Sequence, residues 1–280
     1  MSSGLSIERT SSSVGAEITG VDLRSMSNAD FATIKKTFHE HGVVFFRDQE
    51  FTPEDHIQFA ERFGEINVNR FFKPVEGYPQ IAEVLKEPDQ LANIGGGWHT
   101  DHSYDQEPAL GSILYAREVP PLGGDTMFAS MAAAFDALSP DFQKMLQGLT
   151  ATHSSRHVFG AGGRANDYTG DRIGNADAAT QDVEHPVIIR HPDSGRRCLY
   201  VNQAFTLGIV GWSAEESAAL LEYLYRHAAQ PNFATRFHWE VGSIAIWDNR
   251  STWHWALNDY QGHRRYMHRI TVAGVALSGD

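Results

Sequence analysis

The stretch RRYMHRITV at residues 264–272 alternates polar and apolar side chains, which is typical of a β-strand with two different faces. Because successive side chains of a strand point to opposite faces, Arg265 and Arg269 lie on the same face. At about 3.3 Å per residue, their Cα atoms are roughly 13 Å apart. An arginine that faces a protein core needs an anionic partner, because an unpaired buried charge is very costly. The spacing therefore suits two anionic ligands in one cavity, and is too long for one small carboxylate.

The rest of the chain is rich in strand signals. Short β-branched and aromatic runs predict strands at residues 43–47, 111–116, 125–129, 187–190, 198–202, 243–247 and 266–275. Capping and periodicity signals predict helices over 28–41, with Asn28 as N-cap and Gly42 as the stop, from 52 to Gly64, over 139–147, and from a capping box at 213–216 through 224. Strands and helices do not alternate regularly, so an α+β or mainly β fold of jelly-roll type is expected.

Composition narrows the class of protein. The net charge of -12 disfavours a nucleic-acid backbone or an anionic membrane as the main partner, and points to a small-molecule substrate instead. The absence of an apolar run of about 18 residues or of a secretory start indicates a cytoplasmic protein. With the single cysteine Cys198, any metal site needs histidine and carboxylate ligands.

No repeat or linker divides the sequence, so a single domain over residues 1–280 is predicted. Residues 160–181 are rich in Gly, Asn, Asp and Ala and show no period, which indicates a long loop. A lid or insert around 157–185 is therefore expected. A loop without function is the alternative.

A second motif, WHTDHSY at residues 98–104, contains candidate metal ligands. On a strand, His99 and Asp101 point to one face and His102 to the other. A His and a carboxylate completed by one distant His form the facial triad of non-haem Fe(II) oxygenases. His254, in WDNRSTWHWA at 247–256, is the candidate third ligand, and a packed core histidine is the alternative.

Taken together, these motifs resemble the taurine dioxygenase and 2,4-dichlorophenoxyacetate dioxygenase family of Fe(II)/2-oxoglutarate enzymes. The resemblance runs from GAEITGVDL at 15–23, through WHTD at 98–101 and GGDT at 123–126, to WDNR at 247–250 and the arginine-rich strand. It implies a double-stranded β-helix, a distorted jelly roll, with flanking helices. It also implies Fe(II), 2-oxoglutarate and O2 as cofactors, hydroxylation with or without cleavage of a carbon–heteroatom bond, release of succinate and CO2, and a homo-oligomer.

By position, the resemblance implies iron ligands at His99, Asp101 and His254, co-substrate contacts at Thr126 and Arg265, and substrate contacts at Arg269, Phe159 and Phe205. The chain departs from taurine dioxygenase at NVNRFF, residues 67–72, and at the glycine run 95–97, where contacts to a sulfonate and an amine are expected. Arg70 is a candidate second cation for the substrate, or else a solvated loop residue. With Tyr104 and neighbouring phenylalanines forming an aromatic wall, a larger, partly apolar acid is expected.

Two other classes use similar residues. A zinc hydrolase can be built on the same two histidines and aspartate, but it gives no reason for Arg265 and Arg269. A non-catalytic cupin-like protein that binds a small acid is the other alternative. Such a protein is expected to have lost one of the three ligands, and this sequence retains all three.

Overall fold

The computed structural model of the protein describes residues 4–165 and 170–279. The strands are β1 (Ser6–Arg9), β2 (Ala16–Thr19), β3 (Val43–Phe46), β4 (Ile66–Asn67), β5 (Pro74–Val75), β6 (Tyr78–Lys86), β7 (Gly111–Glu118), β8 (Thr126–Ser130), β9 (Thr150–Ser154), β10 (Asp182–Pro186), β11 (Ile188–Arg190), β12 (Arg197–Leu199), β13 (Thr206–Ile209), β14 (Ala234–Phe237), β15 (Ile244–Asp248), β16 (Thr252–Ala256) and β17 (Arg265–Val272). The helices are α1 (Asn28–His41), α2 (Pro53–Glu61), α3 (Met131–Asp136), α4 (Pro140–Leu146), α5 (Arg156–Phe159) and α6 (Ala214–Ala228).

The strands form one large sheet and several small ones. The large sheet has the order β1-β2-β3-β15-β7-β17-β6-β5, and β4 also pairs with β17. The small sheets have the orders β14-β8-β16, β10-β9-β13 and β11-β12. Of the described pairs, β2–β3 is parallel and the others are antiparallel. The fold is thus mixed α/β and mostly β, as predicted. Within the described ranges, every helix is too short or too polar to cross a bilayer.

The large sheet separates two apolar cores. Along β3, Val44 and Phe46 pack in the core that contains α1 and α2, while Val43 and Phe45 pack on the opposite face. On that face Phe45 meets Phe128 of the β14-β8-β16 sheet, with ring centroids 5.5 Å apart. Each fully buried side chain of this kind contributes about 1.5–3 kcal/mol. The order of layers is therefore helices, large sheet, small sheet.

Strand β17 follows the same alternation. Ile270 and Val272 belong to the core on the helix side, and Met267 belongs to the core between the sheets. Arg265 and Arg269 share the face of Met267, so both guanidinium groups point between the two sheets. Both side chains are buried, which confirms that the alternation in RRYMHRITV carries two arginines into the interior.

Most helix ends follow the capping signals, but α2 ends at Glu61 and not at Gly64, and the start of α1 also differs from the prediction. The N-cap of α1 is Ser27 and not Asn28, because the Ser27 hydroxyl accepts from the amide of Asp30 and the Asp30 carboxylate accepts in return from Ser27. Gly42 ends α1 in the left-handed conformation (φ 74°), as predicted. The capping box at 213–216 is also confirmed and opens α6.

The segment predicted as a lid or insert, 157–185, contains more structure than the sequence suggests. It holds the end of α5, two single-turn 3-10 helices at 170–172 and 176–178, and the start of β10. Residues 166–169 lie outside the described residues.

The turn between β15 and β16 is held by a buried charge pair. Asp248 accepts hydrogen bonds from Nε and Nη2 of Arg250, at 2.8 and 2.7 Å, and from Nε2 of His191 at 2.9 Å. Next to it, the carbonyl of Asn249 accepts a hydrogen bond from the Thr100 hydroxyl at 2.5 Å. One turn thus joins the strand that carries His254 to the loop at residues 98–104.

Replacing Asp248 with Asn is expected to lower the free energy of unfolding by about 3 kcal/mol at neutral pH, because it leaves the buried Arg250 charge with only the partly exposed carboxylate of Asp193 as its partner. Burial opposes the charged form, but Arg250 and His191 hold the pKa of Asp248 well below its usual range. This stability is fully present above the ordinary aspartate pKa of about 4 and is lost as the pH falls towards the folded pKa, so the difference between wild type and variant should shrink in acid. Urea titrations at several pH values measure this difference in the free energy of unfolding between wild type and variant.

The matched control is Asp136→Asn, which breaks the exposed pair with Arg196. That change should stay within about 0.5 kcal/mol. Equal effects of the two substitutions would contradict a stabilising role of the buried pair.

Candidate active site

His99 and His254 are joined by their backbones. The amide of His99 donates to the carbonyl of His254 at 3.1 Å, and the amide of His254 donates to the carbonyl of His99 at 2.8 Å. This isolated antiparallel bridge points both imidazoles to one side, with ring centroids 4.1 Å apart. The two rings therefore approach each other because the main chain holds them opposite each other.

The geometry around Asp101 differs from the prediction in one respect. His99 lies in a bridge and not in a regular strand, and residues 101–104 form a turn in which His102 adopts a positive φ of 58°. Asp101 nevertheless meets both rings: its carboxylate is 3.7 Å from Nε2 of His99 and 3.5 Å from Nε2 of His254. His102 turns away and bonds to Asp105 at 2.8 Å.

The donor set of His99, Asp101 and His254 fits a divalent metal. Its ligand atoms all lie within 4.8 Å of one another, and all three residues are buried. Nδ1 of His99 donates to the carbonyl of Gly97 at 2.8 Å, so Nε2 keeps its lone pair facing the centre of the site. Two imidazoles and one carboxylate would leave further coordination positions of a bound metal open to other ligands.

The protonation states also suit a metal. Burial lowers the pKa values of His99 and His254, so both rings are neutral at physiological pH. Burial alone would raise the pKa of Asp101, but nearby charge, chiefly that of Arg269, outweighs burial and lowers the pKa below its usual range. Arg269 reaches Oδ2 of Asp101 at 2.9 Å. Metal ligands must be deprotonated, and these three already are.

A second cluster, formed by His39, His191 and Asp248, has a similar composition but does not fit a metal. Nδ1 of His191 accepts from the amides of residues 193 and 194, so Nε2 carries the proton that it donates to Asp248. Arg250 occupies both oxygens of that carboxylate. Nε2 of His191 therefore has no lone pair to offer a cation, and both oxygens of Asp248 are already engaged by Arg250.

A cavity of about 830 Å³ opens beside the His99 cluster and is also lined by Thr126, Arg265 and Arg269. The Thr126 hydroxyl accepts a hydrogen bond from the indole of Trp239 at 2.9 Å, which leaves its own proton to donate to another group. Arg265 donates through Nε to the carbonyl of Gly124 at 3.1 Å. Its buried Nη2 finds no partner among the described residues. An anion beside Thr126 and Arg265 would satisfy both.

Aromatic side chains form the wall of the cavity away from Arg265. Tyr104, Phe159 and Phe205 line it, and Phe205 lies edge-on to Tyr104 with centroids 4.7 Å apart. Phe72 lines it as well, whereas Phe71 lies behind the wall, stacked on Phe159 at 4.5 Å. Burial raises the pKa of Tyr104, so its hydroxyl stays protonated. The structure thus brings the predicted aromatic residues together.

Arg70 is placed differently from the expectation. It does not line the cavity, and its Nη2 pairs with Asp105 at 2.7 Å while its guanidinium lies over the rings of Phe71 and Tyr104. Asp105 balances its charge, and the structure does not place Arg70 in the cavity as a second cation. The neighbouring residue, Asn69, faces the cavity instead.

Several other lining residues were not predicted from the sequence. Asn69, Asn93, Arg164 and Gln203 all contact the cavity. Nothing in their local pattern distinguishes them from ordinary loop residues, because they come from four separate segments that only the fold brings together. At the glycine run 95–97, the sequence predicts only the loss of a substrate contact. The run lines the cavity, and the Gly95 carbonyl accepts from the amide two residues after His254.

Comparisons with known proteins agree with this geometry. Residues 6–271 match the model of the family described as Taurine catabolism dioxygenase TauD, TfdA family. The chain belongs to this family. It is 32% identical to an alkylsulfatase of Acinetobacter baylyi over 98% of this chain and 87% of that protein. It is 33% identical to an alpha-ketoglutarate-dependent 2,4-dichlorophenoxyacetate dioxygenase of a Burkholderia species over 89% and 88%.

Solved structures of the same kind superpose over almost the whole chain. A taurine dioxygenase from Burkholderia xenovorans aligns with a TM-score of 0.83 and 34% identity, covering 99% of this chain and 93% of that one. AAD-2 in complex with Mn(II) and N-oxalylglycine aligns with a TM-score of 0.79 and 27% identity, covering 97% and 98%. Membership in the TauD/TfdA family makes the protein an alpha-ketoglutarate-dependent dioxygenase, which uses Fe(II), 2-oxoglutarate and O2. The zinc hydrolase and the silent binding protein are therefore set aside.

Replacing His254 or Asp101 with Ala is expected to weaken Fe(II) binding at least a hundredfold, because two ligands cannot hold the ion against water. Anaerobic Fe(II) titration of the purified protein measures this without any turnover. His263→Ala, at an exposed position outside the cavity, is the control and should bind Fe(II) as the wild type does. Wild-type affinity in the two cluster variants would show that the metal binds elsewhere.

Proposed function

We propose that His99, Asp101 and His254 hold Fe(II), that Thr126 and Arg265 bind the distal carboxylate of 2-oxoglutarate, and that Arg269 binds an acid group of the substrate. The observation that carries this assignment is the pair of buried arginines that face one cavity beside a three-ligand cluster. Buried guanidinium groups require anions. Two arginines four positions apart on one strand support two separate anionic sites.

The residues around the metal have distinct tasks in this proposal. Two neutral imidazoles and one carboxylate leave Fe(II) with one net positive charge, which attracts a dianionic co-substrate. The Thr126 hydroxyl donates to the distal carboxylate, and Arg265 pairs with it. Fe(II) with 2-oxoglutarate and O2 supplies the oxidising power to hydroxylate a C–H bond, with succinate and CO2 as products. Arg269 and the aromatic wall then decide which C–H bond lies nearest the metal.

The aromatic wall supports a substrate that is partly apolar. Tyr104, Phe159 and Phe205 offer ring surfaces to the body of a substrate whose acid group meets Arg269. The similar proteins are named for sulfate esters, sulfonates and 2,4-dichlorophenoxyacetate, all of which combine one acid with an organic group. We infer a small organic acid of this class, hydroxylated next to a heteroatom so that the product can fragment.

The architecture supports two further parts of the proposal. The large sheet facing the β14-β8-β16 sheet has the layering of a double-stranded β-helix, and we infer that fold for a single domain over residues 1–280. The segment around 157–185 contributes Val158, Phe159, Arg164 and Ile173 to the cavity, which supports a role as a cover over the substrate. A homo-oligomer remains an expectation from the family.

Neutral variants of the two arginines should separate their roles. Arg265→Gln is expected to raise the KM for 2-oxoglutarate more than tenfold, because a charge-assisted hydrogen bond contributes about 1.5–3 kcal/mol. Arg269→Gln should leave that KM and the slow substrate-free turnover within a few-fold, and should remove the stimulation by substrate. Arg190→Gln, at an exposed position on β11, is the control. A higher KM for 2-oxoglutarate in Arg269→Gln alone would reverse the two assignments.

The substrate class is tested with a panel of alkyl sulfates, alkyl sulfonates and aryloxyalkanoates. Anaerobic addition of Fe(II) and 2-oxoglutarate should give the weak visible band of the chelate, and a true substrate should shift that band and stimulate succinate formation in air. Phe159→Ala should weaken the response to substrates with large apolar groups by about tenfold, since it removes one wall of the cavity. A response to small hydrophilic acids only would contradict the proposed class.

A further inference from the structure

Lys86 is a buried lysine that the proposed active site does not use. It ends β6, directly opposite Arg265 of β17 in the antiparallel register. Opposite residues of such a pair project from the same face, with Cβ atoms about 4.5–5.5 Å apart. Lys86 is 2% exposed, and its ammonium has no hydrogen-bond partner among the described residues. It lies over the ring of Tyr260, 4.5 Å from the centroid.

Two arginine residues, Arg172 and Arg265, lie near Lys86. Burial, followed by the nearby charge of Arg172, lowers the pKa of Lys86. The next acid along the chain, Glu87, is engaged by Arg264, with a shortest distance of 3.1 Å. Lys86 and Arg265 therefore add positive charge to the same interior face. A buried charge of this kind needs compensation from an anion that the cavity admits.

We propose that Lys86 is a positioning residue for the co-substrate. Together with Tyr260 it lies next to Arg265, and its charge makes this end of the cavity select a 2-oxo acid that carries a second carboxylate. This inference rests on the proposed binding of that carboxylate by Thr126 and Arg265. Lys86 itself does not line the cavity, so it acts through the field that it adds behind Arg265. A unit charge at roughly 8 Å, with an effective dielectric constant of about 20, changes the affinity for an anion by at least about tenfold.

The test compares 2-oxoglutarate with 2-oxopentanoate, which has the same five-carbon chain but ends in a methyl group. Anaerobic calorimetric titration of the Fe(II)-loaded protein gives both dissociation constants without turnover, and their ratio measures selection for the distal carboxylate. Lys86→Met and Lys86→Gln remove the charge, and Lys86→Arg retains it. Lys144→Met, at an exposed position on α4, removes an equal charge far from the cavity and serves as the control.

Both neutral variants are expected to reduce the ratio about tenfold while 2-oxopentanoate binds as before, and Lys86→Arg should restore most of it. Equal weakening of both ligands, an unchanged ratio, or loss of folding in both neutral variants would assign Lys86 a purely structural role and overturn the inference. A failure of the proposed carboxylate binding by Thr126 and Arg265 would give a different result. In that case the wild type would not prefer 2-oxoglutarate, or Arg265→Gln would leave the ratio unchanged.

Discussion

The burial of positive charge on the inner face of β17 constrains the rest of the site. Arg265 and Arg269 point between two sheets in a protein whose net charge is -12, and neither can be reached by bulk water to any large extent. The fold satisfies Arg269 with the carboxylate of Asp101 and leaves one nitrogen of Arg265 without a partner among the described residues. These walls favour an anion beside Arg265, whose Nη2 has no other partner among the described residues.

The second constraint is the backbone bridge between His99 and His254. Side chains can adopt other rotamers, but two reciprocal main-chain hydrogen bonds fix the relative positions of the two backbone segments from which the imidazoles extend. The bridge is in turn anchored from behind, since Thr100 bonds to the turn at Asn249, whose neighbour Asp248 is held by Arg250. Candidate metal ligands that are far apart in sequence are thus positioned by main-chain hydrogen bonds and by a buried ion pair behind them.

Much of this arrangement could be predicted from the sequence, because it depends on local periodicity. The alternation in RRYMHRITV gives the direction of both arginines. The capping boxes at 27–30, 52–55 and 213–216 define helix starts, although the start of α1 is predicted one residue late. The facing of His99 and Asp101 was predicted from a strand that does not form, and the two residues meet through a turn instead. Arg164, Asn69 and the neutralisation of Arg70 depend on long-range packing, which no local pattern encodes.

Arg269 connects the metal to the substrate in the proposed assignment. Its guanidinium has five N–H donors, and the contact with Asp101 engages one terminal nitrogen while Nε has no partner among the described residues. The same side chain can therefore hold the carboxylate that binds the metal and an acid group of the substrate together. Lysine could not do this with fixed geometry, because its ammonium lacks the planar fork. In that assignment, an anion at Arg269 would withdraw part of the positive field from Asp101 and would make that carboxylate a stronger donor to a bound metal.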